Sequence, residues 1–220
     1  MQILTQDQSE TLLRKLDLQT SFVDAWGLGI PPRPASKHQW KQLRNVTAYL
    51  LMLDAGLRVG EVVRLTWPDV IYANAPVLTL DLPAAAAKGK HPRSVPLSVR
   101  LQQAILRYYS QTPQRPPTNT INPLIPSNLH AGAITTRSLE RIIESAAMTS
   151  LGFPVHPHML RHTFATRIMK VTNMPTVQAL LGHRHLSSTQ IYTHPNSDDK
   201  RNAIDNLPGF TGPPVPAAAR

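Results

Sequence analysis

Glycine and proline set the first limit on what this chain of 220 residues can fold into, because they cut it into pieces of helix length. A Gly/Pro loop runs from Gly27 to Pro34, Gly56 stops one apolar segment, and Pro157 and Pro175 sit where further segments begin. Gly182 closes one of these, and Pro195 interrupts the chain again. Between the breaks, apolar residues recur at helical spacing. Thr5-Gln6-Asp7-Gln8 reads as a capping box ahead of a helix with Leu12, Leu13 and Leu16 on one face. A second helix starts near Ser36 and presents Trp40, Leu43, Leu50, Leu51 and Leu53, and a short one is expected from Glu61 to Leu65. Ser98 caps a helix to about Tyr109, Thr136 to Ala147 is amphipathic through Leu139, Ile142, Ile143 and Ala146, and Pro157 opens a helix to about Val171. Ser187 or Ser188 starts another, which carries Tyr192.

Only two stretches read as strand, Val77 to Leu80 and Ser94 to Leu97, with Lys88-Gly89-Lys90 as the turn between them. Residues 110–128, with five prolines and three asparagines, read as an exposed connection. The expected fold is mainly α with one small antiparallel β-sheet. The expected division is a domain over 1–206 and a disordered Pro/Ala-rich tail over 207–220.

Composition narrows the chemistry. A hydrophobic fraction of 41% is enough for a real core. The chain has no cysteine, which excludes disulfides, thiolate-zinc sites and thiol nucleophiles. The N-terminus lacks the basic-then-apolar pattern of a signal peptide, and the longest apolar stretch, Val46 to Leu57, is broken by Thr47, Asp54 and Gly56. The expectation is therefore a soluble chain of the cytoplasm with no membrane partner.

The net charge of +10 is unevenly spread. Residues 1–81 carry eight basic and eight acidic side chains, and residues 198–220 three of each. Between Leu82 and Ser197, twelve Lys and Arg face only Glu140 and Glu144. An excess of this kind favours a polyanion, most often nucleic acid, by phosphate contact and counterion release. A basic protein kept soluble by its charge is the competing explanation.

The basic segment also holds most of the chemistry-bearing residues. His158 and Arg161 share a face at the start of a helix, where backbone donors and the dipole add to an anion site. Chance surface placement explains such a pair equally well. His158 and His162 are also spaced for a metal, but neither a following Glu nor any cysteine completes a zinc set, so no metal is expected. Arg58, between apolar neighbours just past Gly56, needs an anionic partner; Glu61 or Asp54 would serve, and so would a phosphate held by its planar fork. Tyr192 is a candidate nucleophile if cationic neighbours or a base lower its pKa, with His183 nine residues earlier; core packing is the alternative. Lys88 can bring a proton-donating ammonium to a leaving oxygen, or simply sit in a solvated turn.

Taken together, these stretches resemble the tyrosine recombinases of the phage-integrase family. Gly56-Leu57-Arg58-Val59-Gly60-Glu61-Val62-Val63-Arg64-Leu65 looks like the first arginine box of that family. The stretch from Lys88 to Leu97 is similar to its lysine hairpin, with the Lys nine residues before the Leu. His158-Met159-Leu160-Arg161-His162-Thr163-Phe164-Ala165-Thr166 matches its His-x-x-Arg box. Leu180-Leu181-Gly182-His183 and Thr189-Gln190-Ile191-Tyr192-Thr193-His194 match its final histidine and nucleophile boxes. The resemblance runs from about residue 3 to 195.

The resemblance implies the tyrosine recombinase catalytic-domain fold and six site residues: Arg58, Lys88, His158, Arg161, His183 and Tyr192. Tyr192 would attack a phosphate held by Arg58, His158, Arg161 and His183, and Lys88 would protonate the leaving 5′-oxygen. A 5′-hydroxyl from the partner strand would then reverse the step through a Holliday junction, with no cofactor. The implied partner is double-stranded DNA in the nucleoid, bound by a homo-tetramer on two sites with accessory DNA-bending proteins. The chain departs from most members in lacking the helical core-binding domain ahead of Ile3, and so looks like the compact fimbrial-switch invertases, close to the Xer recombinases, or a truncated integrase. A non-cutting DNA-binding regulator of the same fold and a type IB topoisomerase-like relaxase are the competing functions.

Overall fold

The computed structural model describes residues 3–16, 36–83, 92–112, 122–127, 132–182 and 197–207. Its centre is α2 (Lys37–Leu53), which Ser36 starts through a reciprocal capping box: Ser36 N–H donates to Gln39 Oε1 at 2.9 Å, and Gln39 N–H to Ser36 Oγ at 3.2 Å. From Val46 onward α2 has no solvent-facing side, because helices pack around it. α1 (Gln6–Leu16) carries the capping box expected at Thr5 and Gln8 and lies against α2 and α6 (Thr136–Leu151). α5 (Val99–Gln111) and α7 (Pro157–Met169) cover other faces of α2. Trp67 stacks on Tyr108 with ring centroids 4.9 Å apart, at a spacing that favours tilted aromatic pairs.

Ionic ties reinforce this packing. Arg100 of α5 is 4% exposed and forks onto Asp54 at the end of α2, while its Nη1 donates to Glu10 of α1 at 2.7 Å. Leu4 N–H donates to Thr163 Oγ1 at 3.0 Å, and Arg167 Nη2 to Ser9 Oγ at 2.7 Å, so the N-terminal segment is fastened to α7.

Two short helices, α3 (Val59–Val62) and α4 (Trp67–Val70), lead into β1 (Ile71–Tyr72) and β2 (Ala75–Pro76). These strands make a hairpin, with Ile71 opposite Pro76, that the sequence pattern did not announce. Its turn puts Ala73 and Asn74 at positive φ without the glycine that usually marks such a turn. The second hairpin pairs β3 (Thr79–Leu82) with β4 (Arg93–Pro96), Leu80 lying opposite Val95. Among the described residues there are therefore two two-stranded sheets where one was expected, and β3 begins two residues later than the apolar run suggested.

Two further expectations are corrected. The short helix spans Val59–Val62 rather than Glu61 to Leu65, because Arg58, and not a later residue, supplies its N-cap. Residues 122–127 are no exposed connection: Leu124 and Ile125 are fully buried. Leu124 N–H donates to Leu65 O at 2.8 Å and Trp67 N–H to Asn122 O at 3.1 Å, so the segment pairs edgewise beside α4 despite its prolines. Beyond these, a helix α9 (Ser197–Asp205) follows Pro195, buries Ile204, and donates from Arg201 to Leu97 O at 3.0 Å and Leu78 O at 2.7 Å. The remaining helix, α8 (Met174–Leu181), starts at Asn173, whose side chain accepts from Thr176 N–H, and ends at Gly182 in the left-handed conformation.

Candidate active site

Three helix ends meet at one point. The chain leaves α2 through Gly56, whose φ of +63° lets Leu57 N–H return to Leu51 O at 3.1 Å, and Arg58 follows as the N-cap of α3. α8 ends at Leu181-Gly182, just before His183. Between them runs α7, from which Arg161 donates by Nη1 to Gly56 O and by Nη2 to Leu181 O at 2.6 Å. One guanidinium thus spans the carbonyls two residues ahead of Arg58 and of His183.

Arg161 and His158 are one turn apart on α7, yet their surroundings differ: His158 is exposed in the first turn, and Arg161 is 7% exposed. Helical phase alone did not distinguish them, because the long Arg161 side chain reaches inward to two backbone acceptors.

Glu61 is the hub that residue spacing only half revealed. Its carboxylate accepts from the Arg58 backbone N–H at 2.7 Å and from Arg58 Nη1 at 3.1 Å, the partner foreseen at i+3. It also accepts both Nη atoms of Arg93, at 2.9 and 2.7 Å, in the parallel two-bond geometry that makes arginine–carboxylate pairs strong. Arg93 lies thirty-two positions on, at the start of β4, so no local pattern could tie it to Glu61. Its charge inside the lysine-hairpin stretch was the only signal. Asp54, the other partner considered for Arg58, is instead taken by Arg100.

The electrostatics follow from three guanidinium groups around one carboxylate. Burial opposes the charge on Glu61, but hydrogen bonds from Arg93 and the Arg58 backbone, with both guanidinium charges, hold its pKa down at about 2. Burial, then the like charges of Arg58 and Arg93, pushes the Arg161 guanidinium down to about 9, still cationic at neutral pH. The cluster has more positive than negative charge, and Arg58, 29% exposed, presents part of that excess to solvent. Such a place favours an anion with several oxygens.

The depressed carboxyl gives a pH prediction. A lowered folded-state pKa adds stability that is fully present above the unfolded value of 4.5 and disappears as pH falls through the folded value of about 2. Glu61→Gln is therefore expected to unfold more easily than the wild type at pH 6, by about 2 kcal/mol once solvent screening is allowed for. That gap should close between pH 4.5 and 2 in thermal scans of the two proteins. A gap independent of pH over this window would show that Glu61 acts by packing alone.

Lys88, His183 and Tyr192 lie outside the described residues, as do the turn at Lys88-Gly89-Lys90 and the expected helix around Tyr192. Among the described residues no group of three or more His, Cys, Asp or Glu is placed to hold a metal ion. Nor is any helix among them long and apolar enough to cross a membrane.

With this geometry in view, the chain can be set beside known proteins. Residues 34–199 match the phage integrase family, and the chain belongs to that family. Tyrosine recombinase XerC of Pediococcus pentosaceus is 34% identical to it over 158 residues, covering 70% of this chain and 50% of the XerC chain. The crystal structure of XerA recombinase superposes with a TM-score of 0.61 at 22% identity, over 90% of this chain and 62% of that one. The XerH site-specific recombinase, crystallised with its difH substrate, gives 0.58 at 21% identity over 83% and 47%. These structures share the fold. The chain spans about half the length of the curated relatives it matches. α1 lies ahead of the matched residues, yet its ties to α5 and α7 make it part of the same packed body.

Proposed function

We propose that this chain carries the catalytic unit of a site-specific DNA recombinase, within a single domain over residues 1–206. The observation that carries the reading is the guanidinium cluster of Arg58, Arg93 and Arg161 around the single carboxylate of Glu61, in a member of the phage integrase family. The substrate is double-stranded DNA, whose backbone phosphate is the anion such a cluster suits.

In this reading the Tyr192 hydroxyl gives up its proton to solvent and its oxygen attacks a scissile phosphorus. The bond to the 5′-oxygen breaks, and the strand remains joined to the protein as a 3′-phosphotyrosyl ester. Lys88 gives its proton to the departing 5′-oxygen. Arg58, His158, Arg161 and His183 offset the charge that builds on the non-bridging oxygens. Attack by a 5′-hydroxyl of a second strand reverses the step, so the energy of the broken bond is conserved and no nucleotide cofactor enters. Exchange between two duplexes requires two pairs of sites, which a homo-tetramer of such chains supplies.

The test is capture. A pool of nicked duplexes of randomised sequence loses the short strand beyond the nick after cleavage, which prevents resealing. The wild-type chain is expected to form a denaturant-resistant adduct whose DNA, once sequenced, converges on one site. Binding without any adduct would favour the non-cutting regulator. An adduct accompanied by relaxation of supercoils, with no exchange between duplexes, would favour the topoisomerase-like relaxase.

A further inference from the structure

Of the guanidinium groups at Glu61, that of Arg93 is the one that forks the carboxylate and ties it to α8. The Arg93 side chain is 6% exposed, and each of its three nitrogens donates within the protein: Nη1 and Nη2 to Glu61, and Nε to Leu180 O at 2.9 Å. Its Cδ lies so near Gly182 that a Cβ there would be 3.0 Å away, and Gly182 itself has a φ of +62°. Arg93 therefore braces the end of α8 from which His183 departs and, through Glu61, the N-cap of α3 that presents Arg58. Glu61 Oε1 is shared, accepting from Arg93 Nη1 at 2.9 Å and from Arg58 Nη1 at 3.1 Å. A carboxylate already forked by one arginine holds a second less tightly, so Arg58 keeps charge and donors for another anion.

We propose that Arg93 is a positioning residue that restrains Glu61 from closing fully on Arg58 and fixes the α8 terminus ahead of His183. The inference rests on the recombinase reading for its consequence, but its mechanism is a competition between Glu61 and a phosphate for Arg58. Removing Arg93 leaves Glu61 with Arg58 as its main cation and turns an orienting partner into a competitor. Removing the charge of Glu61 as well relieves that competition without restoring the brace at Leu180.

Two measurements on the full chain test this. In the first, inorganic phosphate is titrated into the DNA-free protein and followed through the arginine Nε–H NMR signals. Arg93→Met is expected to weaken phosphate binding about tenfold, the size of one charge-assisted hydrogen bond, and adding Glu61→Gln to bring it back to within about threefold. In the second, capture of nicked duplex is timed. Arg93→Met is expected to slow capture at saturating DNA about 100-fold while raising the half-saturating DNA concentration by no more than about threefold, since one phosphate contact among many is weakened, with only partial recovery in the double variant. If Arg93→Met does not fold, Arg93→Lys replaces it, since an ammonium cannot fork Glu61 and hold Leu180 together. A raised half-saturating concentration with an unchanged saturated rate would make Arg93 a direct DNA contact and overturn the proposal. So would failure of Glu61→Gln to restore phosphate binding in a folded protein. The phosphate titration needs no cleavage, so a wild-type chain that captures no DNA would sink the recombinase reading while leaving the role of Arg93 decided by the titration.

Discussion

Tyr192→Phe is expected to abolish covalent capture while leaving DNA binding almost intact. The substitution removes one oxygen and keeps the ring, and no atom remains to attack phosphorus. Loss of a nucleophile of this kind costs about 10⁴-fold or more. Affinity should fall by no more than about threefold, because it comes from cationic groups on phosphate. The measurement is a denaturing gel of nicked-duplex adduct beside a gel-shift titration of the same variant.

The structure sharpens this test by disqualifying three of the other four tyrosines. Of five in the chain, Tyr49, Tyr108 and Tyr109 are buried, and their hydroxyls donate to Ser9 O, Leu124 O and Asn74 Oδ1. Burial also drives the phenols of Tyr49 and Tyr108 well above their ordinary pKa, away from the phenolate that attack requires. Only Tyr72, 48% exposed on the first hairpin, offers a rival hydroxyl. Tyr72→Phe should capture as the wild type does. If instead Tyr192→Phe still forms adduct and Tyr72→Phe does not, the nucleophile has been misassigned.

What the sequence made legible follows from the range of each interaction. The capping box at Thr5, the helix start at Ser36, and helix ends at Gly56 and Gly182 are settled within a few residues, and the structure has them where the pattern placed them. Glu61 could be named as one of two carboxylate partners for Arg58 because i and i+3 share one turn. Arg93 could not, because its tie to Glu61 exists only after β4 and α3 have docked. The same holds for Arg161, whose acceptors are carbonyls at the ends of two other helices. Backbone carbonyls carry no mark in a sequence. Leu124 and Ile125 were misjudged for a related reason: prolines on either side advertise a loop, while edge pairing with Leu65 and Trp67 draws the apolar pair inward. Helix α9 was missed because its burial comes from long-range docking, through Ile204 and the two bonds of Arg201, more than from an apolar stripe.

Gly56→Ala is expected to be the most damaging single methyl in the described part of the chain. The new Cβ would lie 2.4 Å from Phe164 Cδ1 and 2.6 Å from Cε1, and that ring is fully buried on α7 and cannot swing aside. The backbone there has a φ of +63°, which costs an L-residue about 1–2 kcal/mol on its own, and overpacking adds about as much again. A combined loss of about 3 kcal/mol lowers Tm by about 10 °C in a domain of this size. The consequence for chemistry is separate from stability. Gly56 O is the acceptor of Arg161 Nη1, and Arg58 stands two residues on, so a displaced Gly56 shifts both guanidinium groups together. Capture should fall about 100-fold even well below the new Tm. Phe164→Leu in the Gly56→Ala background makes room for the methyl but cannot relieve the backbone, so it should recover about half of the lost Tm, and thermal scans of the two single variants and the double will resolve that coupling. A Gly56→Ala protein that melts within about 1 °C of the wild type would mean that α7 yields at Phe164, and that the junction of α2 with α7 is not what holds Arg58 in place.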